Sequence, residues 1–105
     1  MRKVQLLKSV LVSYKLKFLP SALKEWKKLA SPIQKQFKKK LAERIVNPEV
    51  PASKLRGIKN IYKIKLRSSG YRLIYEVNNS EITIYVVAVG KRERGIVYNK
   101  AEKRT

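Results

Sequence analysis

Lys63, Lys65 and Arg72 are the residues of this chain best placed by type and spacing to do chemistry. They lie in Lys54–Tyr75, KLRGIKNIYKIKLRSSGYRLIY, whose first half carries Lys54, Arg56, Lys59, Lys63, Lys65 and Arg67 with no acid among them. In an extended chain, alternation sends Tyr62, Ile64 and Leu66 to one face and Lys63, Lys65 and Arg67 to the other. A turn at Ser68-Ser69-Gly70 brings back a second strand that carries Arg72. Two ammonium groups two residues apart, with a guanidinium across the hairpin, form an anion site. They also repel one another, so one lysine pKa is expected to fall from about 10.4 toward neutrality.

Composition leaves few other chemistries. The chain has 105 residues, no Cys and no His, and all seven of its acids are Glu. That removes a disulfide framework, a thiol nucleophile and the commonest general base. It also leaves little from which to build a carboxylate cluster around Mg²⁺, so no metal or other cofactor is implied. Lys plus Arg number 26, for a net charge of +19. Charge of that size costs self-repulsion in the compact state, and a polyanionic partner is the usual offset. Composition alone would also fit a lysine-rich solvated surface.

The elements that must position the basic hairpin can be read in order. Residues 1–13 contain an apolar run interrupted by Lys8, with no small-residue cleavage site after it, and are expected to be an extension ahead of the domain. No run of 18 apolar residues is present, and the expected location is cytoplasmic. YKLKFL at Tyr14–Leu19 alternates as a half-buried strand, and Pro20 ends it. Ser21 is expected to cap a first helix whose buried face is Leu23, Trp26 and Leu29. Ser31-Pro32-Ile33-Gln34 predicts a second N-terminus, with Ser31 as N-cap and Gln34 closing a capping box. That helix sets Ile33, Phe37, Leu41 and Ile45 along one face and stops at Asn47-Pro48.

Ile61–Arg67, Tyr71–Val77 and Ile82–Val89 read as three strands joined by short turns. Gly90 opens a basic tail that Gly95 weakens as a helix, although Ile96, Val97 and Tyr98 could dock it. The fold expected over residues 14–105 is a single α+β domain: an N-terminal strand, a two-helix antiparallel hairpin, a three-stranded antiparallel meander and a C-terminal basic tail or short helix. The helix pair is expected to cover the apolar sheet face and to leave the basic face open.

ALKEWKKL, the lysine-rich second helix, KLRG, YKIKLRSSGYRLIY and VGKRERxxVY occur in that order. Together they resemble the RelE toxins of bacterial type II toxin–antitoxin systems, within the RelE/ParE superfamily, over about Tyr14 to Arg104. The resemblance implies a fold like that of the small microbial ribonucleases. It implies a toxin that cleaves mRNA in the ribosomal A site and so inhibits translation. Its implied partners are the ribosome with its small-subunit rRNA, the mRNA, and a cognate RelB-like antitoxin, with operator DNA bound only through the toxin–antitoxin complex, which represses its own operon. Carried over residue by residue, it implies a metal-independent catalytic set of Lys63, Lys65, Arg72, Arg92 and Tyr98. Lys54, Arg56, Lys91 and Arg94 match basic ribosome-contacting positions, and Arg67 joins them from the basic strand face.

RNA cleavage by a 2′-OH needs a base, a stabiliser for the phosphorane and an acid for the 5′ oxygen. Lys65 or Lys63 would be the base or proton shuttle, with the other holding charge. Arg72 would clamp the phosphate with its planar fork. A guanidinium does not give up its proton, so Arg92 is read as electrostatic. Tyr98 would stack on a base or donate its phenolic proton. Two other functions fit the same charge: a non-enzymatic RNA- or ribosome-binding module, and a ParE-like toxin acting on DNA gyrase.

Overall fold

The structure is a computed structural model that describes residues 13–105, so the extension expected at the N-terminus falls, apart from Ser13, outside the described residues. Lys15–Phe18 forms β1 and Pro20–Lys27 forms α1. Pro20 sits in the first turn of α1, where its missing N–H costs nothing, and the N-cap is Leu19 rather than Ser21. The second helix, α2, spans Ser31–Arg44. Its N-cap is Ala30, with no side-chain cap, so the expected capping box is not formed. Gln34 instead donates to the Trp26 carbonyl at 2.9 Å and fastens α2 to the end of α1. α2 ends at Arg44 with Ile45 as its C-cap, ahead of the Asn47-Pro48 stop.

Three strands follow: β2, Ile61–Leu66; β3, Tyr71–Asn78; and β4, Thr83–Lys91. The last helix, α3, is Ile96–Arg104. The sheet order is β1-β4-β3-β2. β2, β3 and β4 are the expected antiparallel meander, and β1 joins β4 in parallel. β2 and β1 are therefore the sheet edges. β4 runs on through Gly90 and Lys91, past the expected end at Val89, because Arg72 and Tyr71 of β3 pair with those two residues. Arg67 falls just outside β2, and Ile82 just outside β4.

The two sheet faces carry separate cores. Ala22, Phe37 and Leu41 of the helix pair pack on Tyr62, Ile64, Leu73 and Tyr75 of the sheet. Phe37 is fully buried, and truncation to Ala would cost about 3–5 kcal/mol. On α1 the buried residue is Ala22 and Leu23 is 37% exposed, against expectation, while Trp26 and, just past the helix, Leu29 pack on the first core as expected. The opposite face is not left open along its whole length. α3 lies there, with Val97 and Ala101 packed on Ile61, Ile74, Val87 and Ala88. A β-bulge against Ile74/Tyr75 shifts the β3–β4 register. It accounts for the apolar run of β4, sending Val86 and Val89 to the first core and Val87 and Ala88 to the second.

Gly95 does not weaken α3 from within. It precedes the helix as N-cap in the left-handed region, φ 68°, where a residue without Cβ carries no penalty. No helix among the described residues is long and apolar enough to cross a membrane.

Candidate active site

The face beneath α3 changes character along its length. Ile61, Lys63 and Lys65 alternate on one side of β2, and Ile74 and Arg72 answer them on β3. α3 covers the isoleucines, and the cations at the other end form the wall of a cleft. That cleft, of about 730 Å³, is lined by Lys63, Lys65, Arg72, Arg92, Glu93, Gly95 and Tyr98. All five residues carried over as catalytic thus meet in one place, although they come from two strands, a short connection and a helix.

Each is positioned by a traceable local cause. Lys65 pairs in register with Arg72 and Lys63 with Ile74. Arg72 is only 6% exposed, and its Nη1 donates to the Tyr71 carbonyl at 2.9 Å. A guanidinium held below the surface without a carboxylate partner among the described residues favours an incoming anion. The Arg92 N–H donates to the Gly70 carbonyl at 3.0 Å, which ties the start of the tail to the turn of the β2–β3 hairpin. A short 3-10 turn at Glu93–Gly95 then leads into α3. Tyr98, half-buried, packs against the second core while it lines the cleft. Tyr98 therefore docks α3 and borders the cleft at once.

The electrostatics single out Lys65. Its pKa is lowered, first by the charge of Lys63, then by desolvation, Arg72, Arg67 and Arg92. Its ammonium form is thereby disfavoured, which suits Lys65 to accept a proton.

Lys54, Arg56, Arg67 and Lys91 do not line this cleft. Lys54 bridges to Tyr62 beyond the free edge of β2 and lines a small recess with Gly57, Ile58 and Lys59. Arg56 is exposed in the same loop. Arg67 is exposed past the end of β2 and borders a second groove. Lys91 ends β4 with its ammonium 5.7 Å from the centre of the Tyr71 ring. Arg94 lies in the turn before α3.

Two contributors escaped the sequence reading. Glu93 is the one carboxylate lining the cleft among the described residues; its place between Arg92 and Arg94 was the available signal. Glu25 of α1 is remote in sequence, yet its carboxylate gathers the end of α3. It accepts from Arg104 and from Lys100 at 3.0 Å, and from the Val89 N–H at 3.0 Å. Arg104 also donates to the Val87 carbonyl at 2.9 Å. Burial acts to raise the Glu25 pKa, but these hydrogen bonds outweigh it and the net shift is downward. This cluster holds α3, and with it Tyr98, on the sheet.

The chain is similar to several known proteins. Residues 16–96 match the family described as the ParE toxin of type II toxin–antitoxin systems. A protein of Escherichia coli called a RelE-like toxin is 58% identical over 91 residues, covering 87% of this chain and 96% of its own. The mRNA interferase toxin RelE of E. coli K12 is 53% identical over 93 residues, 89% of this chain and 98% of its own. Among solved structures, a mutant of E. coli RelE in the free state superposes with a TM-score of 0.83 at 51% identity, covering 88% of this chain and 97% of that one. The toxin in the intact E. coli RelBE toxin–antitoxin complex gives 0.76 at 52% identity, covering 78% and 100%.

Proposed function

The chain belongs to the RelE family of type II toxins, and on that premise we propose that it is a ribosome-dependent endoribonuclease that cleaves mRNA in the ribosomal A site. It is the toxin of a toxin–antitoxin pair and an mRNA interferase, as its relatives are named. The observation that carries the mechanism is the single cleft holding Lys63, Lys65, Arg72, Arg92 and Tyr98. The family description of ParE raises the gyrase alternative. The five-residue set and identity above half to relatives named mRNA interferases favour RNA.

In the proposed reaction Lys65 takes the proton of the 2′-OH. The 2′ oxygen forms its bond to the adjacent phosphorus, and the bond to the 5′ oxygen breaks. The products are a 2′,3′-cyclic phosphate and a 5′-hydroxyl. Arg72, presented from beneath the surface, clamps the non-bridging oxygens, and Lys63 and Arg92 hold the added charge of the phosphorane. Tyr98 gives its phenolic proton to the departing 5′ oxygen. A set without histidine is a weak one, which suits an enzyme whose substrate is positioned by the ribosome.

The expected partners are a RelB-like antitoxin, the ribosome with its mRNA, and operator DNA through the toxin–antitoxin complex, with action in the cytoplasm. Mapping mRNA ends after brief induction tests this reading. Breaks within A-site codons support it, and intact mRNA with damaged DNA supports the gyrase alternative. Purified protein should cut ribosome-bound mRNA far faster than free RNA; equal rates would remove the ribosome from the mechanism.

A further inference from the structure

A second groove, of about 260 Å³, lies on the other side of the β2 edge. Lys40 and Arg44 of α2, Ser53 of a short 3-10 turn, and Lys63, Lys65 and Arg67 line it. No carboxylate lines it among the described residues. Lys63 and Lys65 border both this groove and the cleft, so the two are separated by little more than the edge strand.

The groove has fixed chemistry as well as charge. Arg44 is anchored: Nη1 donates to the Tyr75 hydroxyl at 2.8 Å and to the Lys63 carbonyl at 3.2 Å, and Nη2 donates to Ser53 Oγ at 3.0 Å. Tyr75 in turn donates to the Pro48 carbonyl at 2.6 Å. Ser53 Oγ is occupied as an acceptor, which leaves its own proton free to be donated to an anion. Lys40 and Arg67 are exposed and stand on either side. A hydroxyl donor and a braced guanidinium, flanked by exposed cations, suit a phosphodiester oxygen better than a carboxylate-bearing protein segment, which would bring apolar side chains to a groove that offers them little.

We propose that this groove is a second phosphate subsite, taking the phosphodiester next to the scissile one on the same RNA strand. The RNA backbone crosses the edge of β2, with Lys63 and Lys65 between the two phosphates. The proposal rests on RNA being the substrate and adds the path of the strand. It also gives α2 a part in substrate binding through Lys40 and Arg44.

The test uses the full chain and two short probes, UpU with one phosphodiester and UpUpU with two, titrated without ribosomes. Wild type should bind UpUpU about tenfold more tightly than UpU, as expected for one added phosphate contact of this charge density. In Lys40→Ala/Arg67→Ala that ratio should fall to about two, the statistical factor for two phosphates at one remaining site, while UpU affinity changes little. Arg72→Ala should weaken both probes. A ratio that stays near ten in the double variant overturns the subsite, as does a wild type that binds the two probes alike. If the occupant is instead rRNA, the double variant loses affinity for empty ribosomes while keeping the wild-type probe ratio, which also overturns it. Cleavage is measured separately on ribosome-bound mRNA. A wild type that shows the expected probe ratio but cuts no mRNA removes the nuclease assignment and leaves the subsite standing.

Discussion

Lys65 and Arg72 face one another in register across the β2–β3 ladder, on the sheet face that becomes the cleft. Like charges directly opposite are unfavourable in a sheet. Here the repulsion is held by a hairpin whose apolar residues are buried in two cores, and, after the larger effects of Lys63 and desolvation, it lowers the proton affinity of Lys65.

That shift fixes the sign of a pH effect. If Lys65 is the base, cleavage rises with pH through its lowered pKa and levels off below the ordinary lysine value. Lys63 is the largest cause of the shift. Lys63→Ala should therefore move the alkaline rise of kcat/KM to higher pH, besides lowering its plateau. A pH–rate profile on ribosome-bound mRNA with unchanged midpoint in Lys63→Ala would exclude Lys65 as the base.

Arg72 offers a fork that an ammonium cannot copy. Arg72→Ala should lower kcat/KM by about 10²–10³-fold, the scale for losing one transition-state charge stabiliser. Arg72→Lys should recover little of it, because Lys lacks the planar pair of donors. Single-turnover kinetics with saturating ribosomes reads the effect on the chemical step. Recovery to wild-type rate in Arg72→Lys would reduce Arg72 to a point charge.

Tyr98 and Arg92 separate the enzyme from a binding module. Tyr98→Phe keeps the packing on the second core and removes the phenol; it should lose about 10²-fold in rate, within the range for general acid catalysis. Arg92→Ala leaves the main-chain bond to Gly70 available and should reduce cleavage without abolishing ribosome binding. Growth arrest that persists in both variants would favour a module that acts by binding alone.

Glu25 links stability to the site. Its folded pKa is depressed, so the stability it contributes is present above the unfolded carboxylate value and is lost as pH falls through the lower folded value. Glu25→Gln should cost about 1–3 kcal/mol near neutral pH, through weaker hydrogen bonds to Arg104 and Lys100. Thermal denaturation as a function of pH should show the gap between variant and wild type closing in acid. A constant gap at all pH values would mean that the charge of Glu25 contributes nothing.

The sequence was most legible where one strand's alternation decided the outcome. Lys63, Lys65 and Arg72 could be placed on one face because side chains on an extended chain alternate, and the structure keeps that placement. Ile33, Phe37, Leu41 and Ile45 were legible for the same kind of reason, through helical spacing, and all contribute to the first core. What local pattern does not contain is which surface another element will occupy. α3 covers part of the face expected to be bare, and nothing in Ile96–Arg104 names its docking site. Glu25 and Arg104 meet across most of the chain, so their pairing has no period to read. Ser31 and Gln34 carried a local capping signature, yet packing between the helices gave Gln34 the Trp26 carbonyl instead. The groove at Arg44 was hidden because its lysines also face the cleft, and only three dimensions show them bordering two spaces.

The tie between Arg92 and Gly70, and that between Arg104 and Glu25, also set an order in time. A chain in the course of synthesis acquires its hairpin lysines well before it acquires Arg92, Tyr98 and the arginine that holds their helix in place. Up to that point it is a basic patch that can grip a phosphate but has no complete means of breaking one. On the proposed reading, the segment translated after the hairpin is the one that arms it.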